Sequence, residues 1–250
     1  MAKTFYYDSV GLAESIITAG TLSGSTFSAS AGAITNEHKV NDQSIAEALT
    51  SFDDEDALRI NLGSAKAVDR ILYHNNGTVD ETDDLFVYYS SSATDYGTPW
   101  ATNGTSPPGW DISTASTQTA QYWYIRSSSG TFTGLTEIIM GAHLDFEVEP
   151  DIGVSTSEQF GTITNISLGG VEYAYKKHNP KSTWTLNFKN ISKTFRDNLA
   201  SMEQEVTDYK KFVYYDGTNY NYVKLGKSLS FTEVAFERYS VSINLTEQLS

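Results

Sequence analysis

Apolar and polar side chains alternate in short runs along most of this chain. Leu58-Arg59-Ile60-Asn61-Leu62 alternates, as do parts of Phe86-Val87-Tyr88-Tyr89 and Tyr122-Trp123-Tyr124-Ile125-Arg126, and Gly, Ser, Asp or Asn bounds each run. A period of two places neighbouring side chains on opposite faces, so these runs predict strands. Their spacing and breakers predict antiparallel pairing rather than βαβ units. The stretch ALRINLGSAKAVDRILYHN, residues 57–75, reads as two strands joined by a Leu-Gly-Ser step. Residues 18–35 are small and polar and read as loop or irregular strand. The segment Ser90 to Thr119 reads as a long connection, a length that is uncommon unless the loop binds something or folds on itself.

The pattern changes after Glu149-Pro150-Asp151-Ile152-Gly153, whose Pro/Gly punctuation predicts a linker. Beyond it, Thr162–Leu168, Val171–Lys176 and Thr183–Phe188 alternate. A helix is then predicted from Ser192 as N-cap, because Phe195, Leu199, Met202 and Val206 recur at helical spacing. Phe212–Tyr215, Asp216-Gly217 and Tyr220–Leu225 predict a hairpin. Tyr239, Val241, Ile243 and Leu245 form a closing strand. The expected organisation is all-β in two domains, residues 1–150 and residues 151–250, the second a small antiparallel structure with one helix.

Composition supports folding and removes several functions. The 250 residues are 39% hydrophobic and 13% aromatic, with 16 Tyr and 12 Phe, enough for real cores. No cysteine is present, which excludes a disulfide framework, a thiolate metal site and a thiol nucleophile. The net charge of −14 is uneven: residues 1–150 hold 20 acidic and 6 basic side chains, residues 151–250 hold 11 of each. No basic stripe exists to neutralise phosphates, so nucleic acid is not an expected partner. No run approaches the ~20 apolar residues of a membrane helix, so membrane insertion is not expected either.

Catalytic templates find little purchase. Leu225-Gly226-Lys227-Ser228 matches the end of a phosphate-binding loop, but Asn221 stands where its first glycine is needed. Neither a nucleophile elbow, a His-Glu-x-x-His motif nor a dinucleotide fingerprint occurs. The acidic runs 53–56 and 80–84 could offer oxygen ligands to calcium or serve as solvated loops; neither has the ligand spacing of a known calcium loop. His143, Asp145, Glu147 and Glu149 share one face of an extended segment, as a metal or acid–base set or as a polar strand face. The expectation is no enzyme, no catalytic residue, no metal and no cofactor. Tyr96, Trp100 and Trp110 carry the stronger signal. Flat aromatics among Gly, Pro, Thr and Asn suit a sugar ring or a protein partner, or fold back to plug the end of a sandwich.

Two resemblances sharpen this reading. Ile60-Asn61-Leu62-Gly63-Ser64, Val68-Asp69-Arg70-Ile71, Val87-Tyr88-Tyr89-Ser90-Ser91, Ala120–Arg126 and Leu135-Thr136-Glu137-Ile138 follow the order of pieces in the discoidin, or coagulation-factor type C, family, over residues 30–141. That resemblance implies a galactose-binding-like, jelly-roll β-sandwich with Ile60, Leu62, Val68 and Ile71 inside and Asp69 and Arg70 near the surface. It carries over no ligand residue. Residues 155–250, with an Ile191-Ser192-Lys193 start to the helix and the closing run FTEVAFERYSV, resemble bacteriophage distal tail proteins. That implies a tail-tube-like β-barrel or sandwich with one helix. It further implies assembly into a hexameric or trimeric ring at the tail tip or baseplate, with other tail proteins as neighbours. The expected protein is then a structural virion component, assembled in the host cytoplasm, displaying the sandwich outward. The alternative is a carbohydrate-binding module that recognises a host surface glycan through Tyr96, Trp100 and Trp110.

Overall fold

The computed structural model describes residues 3–30, 34–51, 55–76, 85–103, 109–127, 134–151, 155–207 and 209–248. Strands dominate, with one α-helix among the described residues. The chain divides into two compact units, residues 6–143 and residues 1–5 with 144–249.

That division differs from a cut at residue 150. Phe5 is fully buried with its ring 4.8 Å from Phe146 and 5.5 Å from Phe212, and the Phe146 N–H donates to the Lys3 carbonyl at 3.0 Å. The start of the chain therefore helps to build the unit formed by its end, and residues 6–143 are inserted between them. Three aromatic rings in edge contact bury enough apolar area to hold so short a segment in place.

The first strand, β1 (Thr4–Asp8), is followed by the hairpin of β2 (Ile16–Ser23) and β3 (Thr26–Ala29) and the short pair β4 (Ile34–Thr35) and β5 (Thr50–Ser51). The long β6 (Asp56–Asn75), β7 (Leu85–Ser90), β8 (Thr98–Asn103), β9 (Gly109–Ser127) and β10 (Leu135–Asp145) complete the inserted unit. Residues 57–75 thus belong to one strand, Asp56–Asn75, of 20 residues rather than to two. Its first half pairs with β2 and the end of β9, aligning Ile60 with Ile17 and Trp123. Its second half pairs with the start of β9 and with β10, aligning Leu72 with Ile112 and Ile139. The register breaks between Asn61 and Lys66, where Gly63 adopts φ 74°. A side chain there would be strained, and the bend lets one strand line both sides of a core. Ile60, Leu62, Val68 and Ile71 all enter that core, and Asp69 and Arg70 are half-buried.

Two other expectations change. Residues 18–35 contain a hairpin, with Ser23 opposite Thr26 across Gly24-Ser25. The long connection 90–119 holds β8 and the first half of β9, so its alternation was obscured by Gly and Pro rather than absent.

The second unit comprises β11 (Ser155–Ile166), β12 (Glu172–Ser192), α1 (Lys193–Val206), β13 (Phe212–Tyr215), β14 (Tyr220–Leu225), β15 (Phe231–Ala235) and β16 (Arg238–Glu247). Its sheet runs β11-β12-β16-β14-β13-β1, with β15 also paired to β16. The helix buries Phe195, Leu199, Met202 and Val206, the stripe that their spacing predicts. Its start is fixed twice. The Ser192 hydroxyl accepts from the Phe195 N–H at 3.1 Å, and the Glu147 carboxylate accepts from both the N–H and the O–H of Ser192. At the β13–β14 turn the Asp216 carboxylate accepts from Thr218 and Asn219 N–H groups at 2.9 and 2.8 Å. Burial raises its pKa, and these donors outweigh that and hold it below the ordinary range.

Candidate functional site

The three aromatic candidates occupy separate places. Tyr96 lies in a loop folded across the outer face of the β7–β9–β6 sheet, its ring 4.7 Å from Tyr88, edge on. The β2–β3 hairpin covers the same face from the other side. The two segments are tied together where Phe27 N–H donates to the Thr94 carbonyl and Tyr96 N–H to the Ser25 carbonyl. Beneath them Arg59 donates to the Ala93 carbonyl at 2.8 Å and lies 5.0 Å from the centre of the Phe27 ring. Tyr124 donates to the Ser92 carbonyl at 2.8 Å, and burial pushes its phenol up to about 12. The result is a second small core of Leu22, Phe27, Ala57, Tyr88 and Tyr124, with Tyr96 packed at its rim. Alternation marks the runs that hold Arg59 and Tyr124 as strands, but no local pattern marks a face that a distant hairpin covers.

Trp100 sits on β8, its indole N–H donating to the Ser116 carbonyl at 2.9 Å and its ring 5.3 Å from the buried Trp123 in an edge contact. It packs against the main core while remaining half-buried. Trp110, also half-buried, stands at the start of β9 opposite His74, with the rings 5.2 Å apart. His74 shares a 2.6 Å hydrogen bond with the Thr136 hydroxyl, which donates to the His74 carbonyl. Burial lowers the His74 pKa to about 4, so the imidazole is neutral near pH 7. Trp110 thus packs beside a neutral, anchored imidazole and stays half-buried. Among the described residues no ring contact joins Tyr96, Trp100 and Trp110 to one another.

The polar face 143–149 is taken up structurally. His143 faces Asp69 at 3.5 Å, Asp145 accepts from the Thr4 hydroxyl at 2.7 Å, Glu147 caps α1, and Glu149 pairs with Lys3 at 2.7 Å. These four side chains point to four different partners, so they form no acid–base set. Among the described residues no cluster of three or more His, Asp or Glu could hold a metal ion. Of the acidic runs, residues 53, 54 and 80–84 lie outside the described residues, and Asp56 is buried. Leu225–Ser228 borders a cavity of about 270 Å³ shared with Glu203 and Thr207. It joins two strands rather than a strand to a helix, and a carboxylate faces it, so it makes no phosphate cradle.

The most unusual surface belongs to the second unit. From residue 162 to residue 177 the β11–β12 hairpin is a two-stranded ribbon whose side chains are almost all exposed on both faces. Ile163 pairs with Tyr175 and Asn165 with Tyr173 on one face; Tyr173 is 61% and Tyr175 53% exposed, and Ile166, Leu168 and Val171 crowd the tip. Phe160 is also exposed at its base. The β15–β16 hairpin ends likewise in exposed Val234 and Phe236, the latter 87% accessible. Isolated two-stranded ribbons are marginal in water, and apolar clusters of this kind mark interaction surfaces. Sequence alternation located the strands, but could not show that neither face meets the unit's core.

No family model matches the chain, and no curated protein matches it. Solved structures similar to about half of it are carbohydrate-binding modules. A chitosan-binding module of a chitosanase/glucanase from Paenibacillus sp. IK-5 is 20% identical, covering 53% of this chain and 98% of that one with a TM-score of 0.40. The second such module from the same enzyme, in complex with chitotriose, is 16% identical, covering 53% and 99%, TM-score 0.40. The family 32 module of Clostridium perfringens NanJ, in complex with galactose, is 15% identical over 56% and 98%, TM-score 0.39.

Proposed function

We propose that this chain is a structural protein that assembles with copies of itself through the unit of residues 1–5 and 144–249, and that the assembly displays the inserted sandwich. The observation that carries the proposal is the β11–β12 ribbon, which exposes Ile166, Leu168, Val171, Tyr173 and Tyr175 where a second chain would bury them. Net charge does not oppose such contacts, since the unit holds 12 basic and 14 acidic side chains: the 11 of each in residues 151–250, with Lys3, Asp145, Glu147 and Glu149. What supports a ring in a bacteriophage tail, at its tip or baseplate with other tail proteins stacked on it, is the sequence resemblance of residues 155–250 to distal tail proteins. Sedimentation and imaging of the full chain test the proposal. Closed oligomers are expected, with Tyr173→Ser/Tyr175→Ser shifting them toward monomer; a monomer at every concentration overturns it.

A second reading, compatible with the first, is that the sandwich binds a carbohydrate. What favours it is Trp110, a half-buried indole beside neutral His74, which offers an apolar ring face with polar groups at its edge. Glycan-array binding by the intact assembly tests it, and loss of signal on Trp110→Ala is the expected result. An array with no signal ends this reading and leaves the first untouched.

A further inference from the structure

Two hairpins of the second unit are exposed to their tips, and their chemistry is complementary. The β11–β12 ribbon combines the apolar group of Ile163, Tyr173 and Tyr175 with the exposed cations Lys176 and Lys177. The β15–β16 hairpin combines exposed Val234 and Phe236 with the exposed anions Glu233 and Glu237.

Resting on the assembly reading above, we infer that the ribbon of one copy docks on the β15–β16 hairpin of the next. Tyr173 and Tyr175 cover Val234 and Phe236, while Lys177, two residues on from Tyr175, meets Glu233 and Glu237, and Lys176, which its pairing with Thr162 places on the other face of the ribbon, adds positive charge nearby. The two surfaces differ, so the contact is head-to-tail. Each copy then offers one ribbon and one hairpin, and repetition of the contact closes a ring when the rotation permits. An ionic rim around an apolar centre fixes the register of the two hairpins, because a slipped pairing would place like charges together. Gly161 makes room at the ribbon's base: a Cβ there would strike the His178 ring, so the ring lies across β11 where the ribbon leaves the sheet.

The experiment uses two full-length variants. The first, Lys176→Glu/Lys177→Glu, makes ribbon and hairpin both acidic. The second, Glu233→Lys/Glu237→Lys, makes both basic. All four positions are exposed, so circular dichroism is expected to match the parent. Each variant alone should associate at least about tenfold more weakly than the parent in sedimentation at low salt. An equimolar mixture should reassemble, because the acidic ribbon of the first then meets the basic hairpin of the second, and the basic ribbon of the second meets the acidic hairpin of the first. If the parent assembles and either variant assembles equally well, or the mixture stays dissociated, the hairpin contact is overturned while the assembly reading survives. If the parent itself is monomeric, both fall.

Discussion

Phe27 lies across Gly20. A Cβ built on Gly20 would stand 2.5 Å from the edge of the Phe27 ring and would also strike the Ser28 carbonyl, so the β2–β3 hairpin folds over the sheet only because position 20 has no side chain. Arg59 and Tyr124 receive the ring from below, at 5.0 and 5.4 Å. Gly20→Val should therefore cost about 1–3 kcal/mol through overpacking, and Phe27→Ala about 3 kcal/mol through lost burial. The two changes act on one contact, so the double variant should cost clearly less than their sum. Denaturant midpoints of the three proteins measure this, and additive costs would show that the ring does not depend on the glycine.

This covered face also marks the limit of what alternation reveals. Periodicity gave Leu58 to Leu62, the helix stripe from Phe195 to Val206 and the closing strand 239–246, because each needs only local chain geometry and one buried face. It gave two strands in place of β6, because a Gly-centred bend inside a strand resembles a turn between strands. It could not assign Phe5 to the far end of the chain, since nothing local tells a strand which sheet it will join. Tyr96, Trp100 and Trp110 stood out as aromatics in a polar setting, yet their separation follows from β8 and β9, which Gly and Pro disguised as loop.

The start of α1 offers a second measurement. Ser192 caps the helix through Phe195 N–H and is itself held by Glu147, linking the strand exit to the helix. Ser192→Ala should destabilise the second unit by about 1 kcal/mol, the ordinary value of an N-cap. Glu147→Gln should cost less, since an amide oxygen still accepts one of the two hydrogen bonds. Urea unfolding followed by far-ultraviolet circular dichroism checks both, and an unchanged midpoint for Ser192→Ala would remove the cap from the account.

His74 makes the inserted unit sensitive to acid. Burial lowers its pKa to about 4, whereas the unfolded chain titrates near 6.5. Between those values the unfolded state holds more protons than the folded state, so stability is complete above about pH 6.5 and declines as pH falls toward 4, where the loss levels off. The ring is partly reached by solvent, so the loss attributable to it is about 1–2 kcal/mol rather than the full value of the shift. His74→Gln should keep a hydrogen bond to Thr136 and flatten that part of the pH profile. A profile as steep in the variant as in the parent would place the acid sensitivity elsewhere.

The two tryptophans should separate when each is truncated. Trp100 donates to the Ser116 carbonyl and packs edge-on against Trp123, so Trp100→Ala removes packing and leaves a carbonyl to be resolvated. A cost of about 2–3 kcal/mol is expected, read as a lower unfolding midpoint of the inserted unit. Trp110 contacts His74 at the end of the β6–β9 ladder and lies outside the main core that Trp100 packs against, so Trp110→Ala should cost less stability. If the sandwich binds sugar through that ring, the same variant should lose glycan binding at unchanged fold, because a stacked indole contributes apolar contact that alanine cannot replace. Equal loss of stability in both variants, with glycan binding intact in Trp110→Ala, would make Trp110 a packing residue and move any sugar site away from it.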